Sequence, residues 1–154
     1  MLFRSAGGLS SIEEKALGNI AKSGSRPIQG VLSYGEAAPR PGCWVMDAPA
    51  YASESLTGFT AAGAQLMLFT TGVGNSFVSA LAPTIKVCAN PETCARVGEQ
   101  LDLDAHKVFI GEETPESAAD RLWARMMQVA EGASTWGEIL GEGDEIVAHY
   151  GQAM

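Results

Sequence analysis

The strongest constraint on this chain is an alternation. Between residues 28 and 110, short apolar runs recur, each closed by a turn signal, with helical stretches in the intervals. Ile28–Ser33, Cys43–Asp47, Gln65–Thr70, Thr84–Ala89 and Lys107–Ile110 read as strands; Ser53–Gly63 and Pro91–Val97 read as helices, the latter with proline in its first turn. Short buried strands alternating with helices imply an α/β fold: an open, mainly parallel sheet with helices on its faces, Rossmann-like but without a dinucleotide fingerprint. The first four strands are expected in one sheet. A chain of 154 residues is one domain's worth and buries its own core.

Helices flank this region. Ser10 or Ser11 caps one, with Glu13 or Glu14 at the capping-box spacing, and it runs to about Lys22. Thr114 caps the clearest helix and Pro115 takes its first position. Ala118, Ala119, Leu122, Trp123, Met126, Met127 and Ala130 form its apolar stripe, which is expected to pack on the sheet, and Gly132 ends it. The last twenty residues suit either a helix near Ser134–Leu140 or a closing strand near Glu145–Tyr150.

Charge runs from +2 over residues 1–40 through −2 over 41–99 to −8 over 100–154. The acidic end reads as a solubility feature and argues against nucleic acid, which needs clustered Lys and Arg. No window is apolar for long enough to span a membrane, and no apolar signal region follows Met1–Arg4, so a cytoplasmic address is expected. Three cysteines do not suit a disulfide framework, and Cys88 and Cys94 lack nearby third and fourth zinc ligands.

Parallel sheets hold ligands outside the carboxyl ends of their strands. Those ends carry Ser33–Glu36, Asp47–Pro49, Thr70–Asn75 and Asn90. Thr70-Thr71-Gly72-Val73-Gly74-Asn75 is the sharpest feature: glycines let backbone N–H groups converge on an anion, and the hydroxyls add donors. An ordinary tight turn has the same signature. It is not a Walker loop. Lys86, mid-strand between Ile85 and Val87, is either a solvated edge residue or a cation aimed at a carboxylate. Asp47 and Glu54 suit general bases or metal ligands, but as single carboxylates they more often serve as a helix cap or a turn residue. His106 and His149 assemble no recognisable triad.

The stretch from Ser5 to Gly18, Ser-Ala-Gly-Gly-Leu-Ser-Ser-Ile-Glu-Glu-Lys-Ala-Leu-Gly, resembles the A-G-G-L-T-T-x-E-E-K-S-L-G segment of the altronate and galactarate dehydratase family. Gly63 to Gly74 resembles that family's G-x-Q-x-x-x-F-T-T-G-R-G, and Pro83-Thr84-Ile85-Lys86 with Asn90 resembles its P-T-x-K-x-x-x-N. The resemblance covers residues 5–92 well. It implies the carboxyl-terminal domain of a metal-dependent hydro-lyase that dehydrates aldonic or aldaric acids to 2-keto-3-deoxy acids, with a sulfonated hydroxy acid in place of the sugar acid in a related branch. Fe²⁺ or a similar divalent ion would act in the full-length enzyme. Amino-terminal and middle domains would complete the site, and homo-oligomers would be compatible with it.

In that reading Lys86 is catalytic, meeting charge on the substrate carboxylate. Thr70, Thr71, Gly72, Gly74, Asn90 and Asp47 bind substrate and converge at the sheet's carboxyl rim. Many family members carry Arg where this chain has Val73, which removes a bidentate donor. The rival readings are a module that holds a small carboxylate without chemistry and an oligomerisation domain.

Overall fold

A computed structural model describes residues 11, 13, 17–18, 23–49 and 51–146. Most of the expected helix ending near Lys22, most of the expected strand at Glu145–Tyr150, and His149 lie outside the described residues; Glu13, Leu17 and Gly18, which are described, are helical.

In chain order the elements are β1 (Ile28–Leu32), β2 (Cys43–Met46), α1 (Ala52–Ala61), β3 (Met67–Thr70), β4 (Val78–Ser79) and β5 (Thr84–Cys88). Then follow α2 (Pro91–Val97), a 3₁₀ turn (Gly98–Gln100), β6 (Leu103–Asp104), α3 (His106–Phe109), α4 (Pro115–Ala130), α5 (Trp136–Leu140) and β7 (Gly143–Asp144). All strand pairs are parallel, as the alternation requires. The class is α/β.

The strands do not share one sheet. They form three ladders: β1–β2, β3–β5–β6 and β4–β7. The reason is visible between β2 and β3. An apolar cleft of about 450 Å³ opens there, lined by Leu32 and Met46 on one side and Met67 and Leu68 on the other, with Leu56 and Phe59 of α1 also facing it. Among the described residues no strand pairing joins the two ladders. The core under α1 is Leu56, Met67 and Ala82, with Phe69 and Phe77 packed against it.

β5 is the central strand of its sheet, with β3 on one side and β6 on the other. That explains why Thr84, Ile85, Lys86 and Cys88 are all buried. Lys86 is therefore not a solvated edge residue.

Lys107–Ile110 is not a strand. Asp104 accepts the His106 backbone N–H at 2.9 Å, which turns the chain into α3 and leaves Phe109 and Ile110 exposed. The strand at this point is the shorter β6. On α4 Ala118 and Val129 are buried and Leu122 and Met126 half-buried, while Ala119, Met127 and Ala130 are exposed and Trp123 is 62% exposed. The expected stripe is thus half right: its Trp123 edge faces outward. Thr114 and Pro115 begin α4 as expected, and Thr135 starts α5 with a complete capping box.

The acidic carboxyl-terminal stretch has a structural role. Glu145 accepts hydrogen bonds from Thr57 Oγ1 at 2.6 Å, from Ser79 Oγ and from the Ala80 N–H at 3.1 Å. Asp102, wholly buried, accepts from the Lys86 N–H, Arg125 Nη2 and the Trp136 N–H, each at 2.9 Å.

Thiol reactivity follows from the same packing. Cys43 is exposed, whereas Cys88 and Cys94 are buried. Burial pushes the Cys94 thiol up to about 12, helped by its hydrogen bond with Asp104 and by neighbouring Cys88. With Ellman's reagent at neutral pH, one thiol should react in a fast phase and two only on unfolding. Three fast thiols would contradict the packing.

Candidate functional site

The chain from Thr70 to Asn75 leaves the end of β3, and its shape is set by neighbours rather than by its own residues alone. The Thr71 N–H donates to the Val87 carbonyl at 3.0 Å, extending the β3–β5 ladder one step. Thr71 Oγ1 then accepts the Gly74 N–H at 3.0 Å and closes the turn. From α2, Thr93 Oγ1 donates to the Gly72 carbonyl at 2.8 Å, and Arg96 Nη2 donates to the Val73 carbonyl at 2.8 Å. The loop is pinned to one helix at two successive carbonyls.

The two glycines do different jobs. Gly74 has φ of +88°, and a Cβ there would lie 3.3 Å from Val97 Cγ2. Glycine is required there by the fold. Gly72 has no positive φ, and a Cβ at that position would meet nothing within 4 Å. The fold therefore does not demand glycine at 72, and the loop is open to approach on that side. Gly74→Val is accordingly expected to cost about 1–3 kcal/mol of stability, read from urea unfolding. An unchanged midpoint would show the turn to be slack.

Lys86 is 0% exposed. Its Nζ donates to Glu142 Oε2 at 2.7 Å and to the Asn75 carbonyl at 3.2 Å. It thus reaches the far end of the loop without reaching solvent. A buried cation already paired with a carboxylate shapes the loop and does not present free charge to a ligand. Asn90 is also occupied: its Oδ1 accepts from Glu92 and Thr93 N–H at 3.0 and 3.3 Å, capping α2.

Thr71, Gly72, Gly74, Lys86 and Asn90 are joined through the loop, α2 and β5, and Thr70 is exposed at the loop's entry. Asp47 belongs elsewhere. It is exposed beyond β2, and its N–H donates to the Leu32 carbonyl within the β1–β2 ladder at 2.9 Å. Glu54 lies buried in the first turn of α1, where its carbonyl accepts the Tyr34 hydroxyl at 2.7 Å.

Arg96 was not singled out by sequence reasoning. It lies on the exposed side of α2, bonded beside position 73, so a guanidinium stands at the loop although Val73 itself carries none. A single arginine in a short helix gives no sequence signal; only the fold places it. The apolar cleft between the two larger ladders has no charged lining residue and does not suit a carboxylate.

Cys94, Asp104 and His106 converge on the other side of α2, their ligand atoms within 4.8 Å of one another. The sequence offers Cys94 no third or fourth ligand beside Cys88; the fold brings Asp104 from β6 and His106 from α3 to it. His106 Nδ1 is 2.7 Å from Asp104 Oδ1. Burial raises the Asp104 carboxyl, but hydrogen bonds from the His106 N–H, Cys94 and the His106 ring outweigh it and hold the group below its usual range.

Residues 4–153 match the family described as D-galactarate/altronate dehydratase, C-terminal. The chain is 41% identical over 136 residues to the (2R)-sulfolactate sulfo-lyase subunit beta of Chromohalobacter salexigens, covering 88% of this chain and 35% of that protein. It is 36% identical over 126 residues to the galactarate dehydratase (L-threo-forming) of Escherichia coli, covering 82% of this chain and 24% of that one. With the altronate dehydratase of Escherichia coli the identity is 33% over 111 residues, covering 72% and 22%. The chain spans about a third or less of the length of these relatives. Among the described residues no helix is long and apolar enough to cross a membrane.

Proposed function

Because the chain belongs to the D-galactarate/altronate dehydratase C-terminal family, we propose that its Thr70–Asn75 loop holds the carboxylate of a 2-hydroxy acid in a lyase completed by other domains or a second subunit. The observation that carries this reading is the Arg96 guanidinium bonded to the Val73 carbonyl at the open side of the loop. Guanidinium recognises carboxylate with paired donors, and here it is held by a fixed helix. Thr70 and Gly72 provide the approach, the first with a hydroxyl and the second with uncovered backbone.

The chemistry such a site supports is removal of the proton alpha to the carboxylate, followed by loss of the group on the beta carbon. Charge accumulates on the carboxylate oxygens as the enediolate forms, and donors fixed at that point stabilise it. Lys86 contributes by holding Asn75, and so acts as a positioning residue. A divalent ion, when bound, would supply Lewis-acid stabilisation. The hydroxyls of Thr70 and Thr71, together with the Lys86 and Arg96 cations bonded to the loop from β5 and α2, do not suit such an ion. Expulsion of sulfite from a sulfonated hydroxy acid is the second reading, favoured by the 41% identity over most of the chain with a sulfo-lyase subunit.

The test is steady-state kinetics on the complete enzyme containing this chain, with galactarate, altronate and sulfolactate. Arg96→Ala should raise KM about 10- to 100-fold, as expected for loss of a charged hydrogen-bond pair. Gly72→Val should impair binding while leaving the unfolding midpoint nearly unchanged. If both variants keep wild-type KM on every turned-over acid, the loop is not the carboxylate site.

A further inference from the structure

The group on the far side of α2 has a composition that hydroxy-acid recognition does not use. Cys94 lies in α2, Asp104 ends β6 and His106 opens α3, so three elements each contribute one ligand-type side chain. Their ligand atoms lie within 4.8 Å of one another. Coordination bonds of about 2.0–2.3 Å to sulfur, nitrogen and oxygen place ligands roughly 3–4 Å apart around a tetrahedral ion. The His106 Nδ1–Asp104 Oδ1 separation of 2.7 Å lies below that spacing and the 4.8 Å limit above it, so rotations that move the ligand atoms by about 1–2 Å bring the three to that geometry.

The cluster is also open on one side. Cys94 is buried, with its Sγ donating to the Cys88 carbonyl at 3.5 Å, while the His106 and Asp104 side chains are partly exposed. An ion would enter from the His106 side and meet the thiol at the bottom.

Asp104 is held in place by the strand around it. The Ala105 N–H donates to the Cys88 carbonyl at 2.8 Å, and Arg121 Nη2 donates to the Asp104 carbonyl at 3.0 Å. The backbone that presents both Asp104 and His106 is therefore fixed before any ion arrives. A preformed, one-sided cup of sulfur, nitrogen and oxygen donors is a metal-binding arrangement and has no evident role in the carboxylate loop.

We propose that Cys94, Asp104 and His106 bind a borderline-soft divalent cation of the zinc type, with three protein ligands and one position left open to solvent. Thiolate with imidazole selects against Mg²⁺ and Ca²⁺, which require oxygen ligands. Binding replaces the proton on Cys94 by the metal, and the proton is released to solvent. The proposal stands apart from the carboxylate reading, since the ion binds whether or not the loop holds substrate.

The test uses the chelator-treated protein titrated with Co²⁺, which reports thiolate ligation by near-ultraviolet charge-transfer absorption. The expected result is one equivalent bound, displaced by Zn²⁺ and unaffected by excess Mg²⁺. Cys43→Ser should leave the band unchanged and Cys94→Ser should abolish it. His106→Ala, at a partly exposed position that disturbs no core, should weaken Co²⁺ binding by at least about tenfold. Absence of the band, its survival in Cys94→Ser, or an unchanged affinity in His106→Ala would each overturn the site.

Discussion

Lys86→Ala is expected to destabilise the protein by about 3–5 kcal/mol, the range for breaking a buried ion pair from one side. The lysine is fully enclosed in the central strand β5, and Glu142 is largely enclosed with it. Truncation leaves the Glu142 carboxylate facing an apolar gap and removes the donor that fixes the Asn75 carbonyl. For a chain of this size the melting temperature should fall by about 6–20 °C. Replacing both partners at once, Lys86→Met with Glu142→Leu, should recover much of the loss, because no charge is then left without a partner. Urea unfolding of the single and double variants checks this. A single-variant loss below about 1 kcal/mol would mean that water reaches the pair.

Asp102→Ala should have an effect of similar size, again about 3–5 kcal/mol. One carboxylate here satisfies the Lys86 N–H in the sheet, the Arg125 guanidinium on α4 and the Trp136 N–H at the start of α5. Arg125 also donates to the Ser134 carbonyl at 2.9 Å, so it gathers the turn that joins α4 to α5. Without Asp102, Arg125 and two backbone donors lose their acceptor together. Asp102→Asn should be milder, since the amide oxygen still accepts two of the three bonds, although it cannot offer the guanidinium a charge. Hydrogen exchange at Trp136 N–H should rise in both variants. Protection equal to wild type in Asp102→Ala would show that another acceptor takes over.

Much of this was legible in the sequence, for local reasons. Pro91 announces α2, and Thr114-Pro115 announces α4, because fixed proline φ and a capping side chain act within one turn, whereas the cap role of Asn90 emerges only in the fold. The glycine loop was legible because glycine pairs after an apolar strand mark a backbone reversal. What failed was non-local. Val108-Phe109-Ile110 has strand composition, yet the Asp104 side chain captures the His106 N–H and starts a helix instead. β4 and β7, two residues each, are too short for any periodicity and exist through pairing with each other. The sheet division depends on where the cleft opens, which no residue states alone. Lys86 was read as edge or ligand-facing because its strand's central position depends on β6, a two-residue partner.

The surface position of Trp123 has the same origin: the apolar periodicity of α4 is real, but the side of the helix that is covered runs through Ala118 and Val129, with Leu122 and Met126 half-buried.

The Lys86–Glu142 pair joins positions 56 residues apart. A ribosome adding about 5–20 residues per second would therefore make Lys86 roughly 3–11 s before it makes the carboxylate that receives it. During that interval β3, β5 and β6 have all been synthesised, yet a charged amine in their central strand has no counterion and opposes closure of the sheet. Closure of this sheet is thereby tied to synthesis of Glu142. A nascent chain halted before Glu142 should remain open to protease and chaperone, and a chain that has passed it should not.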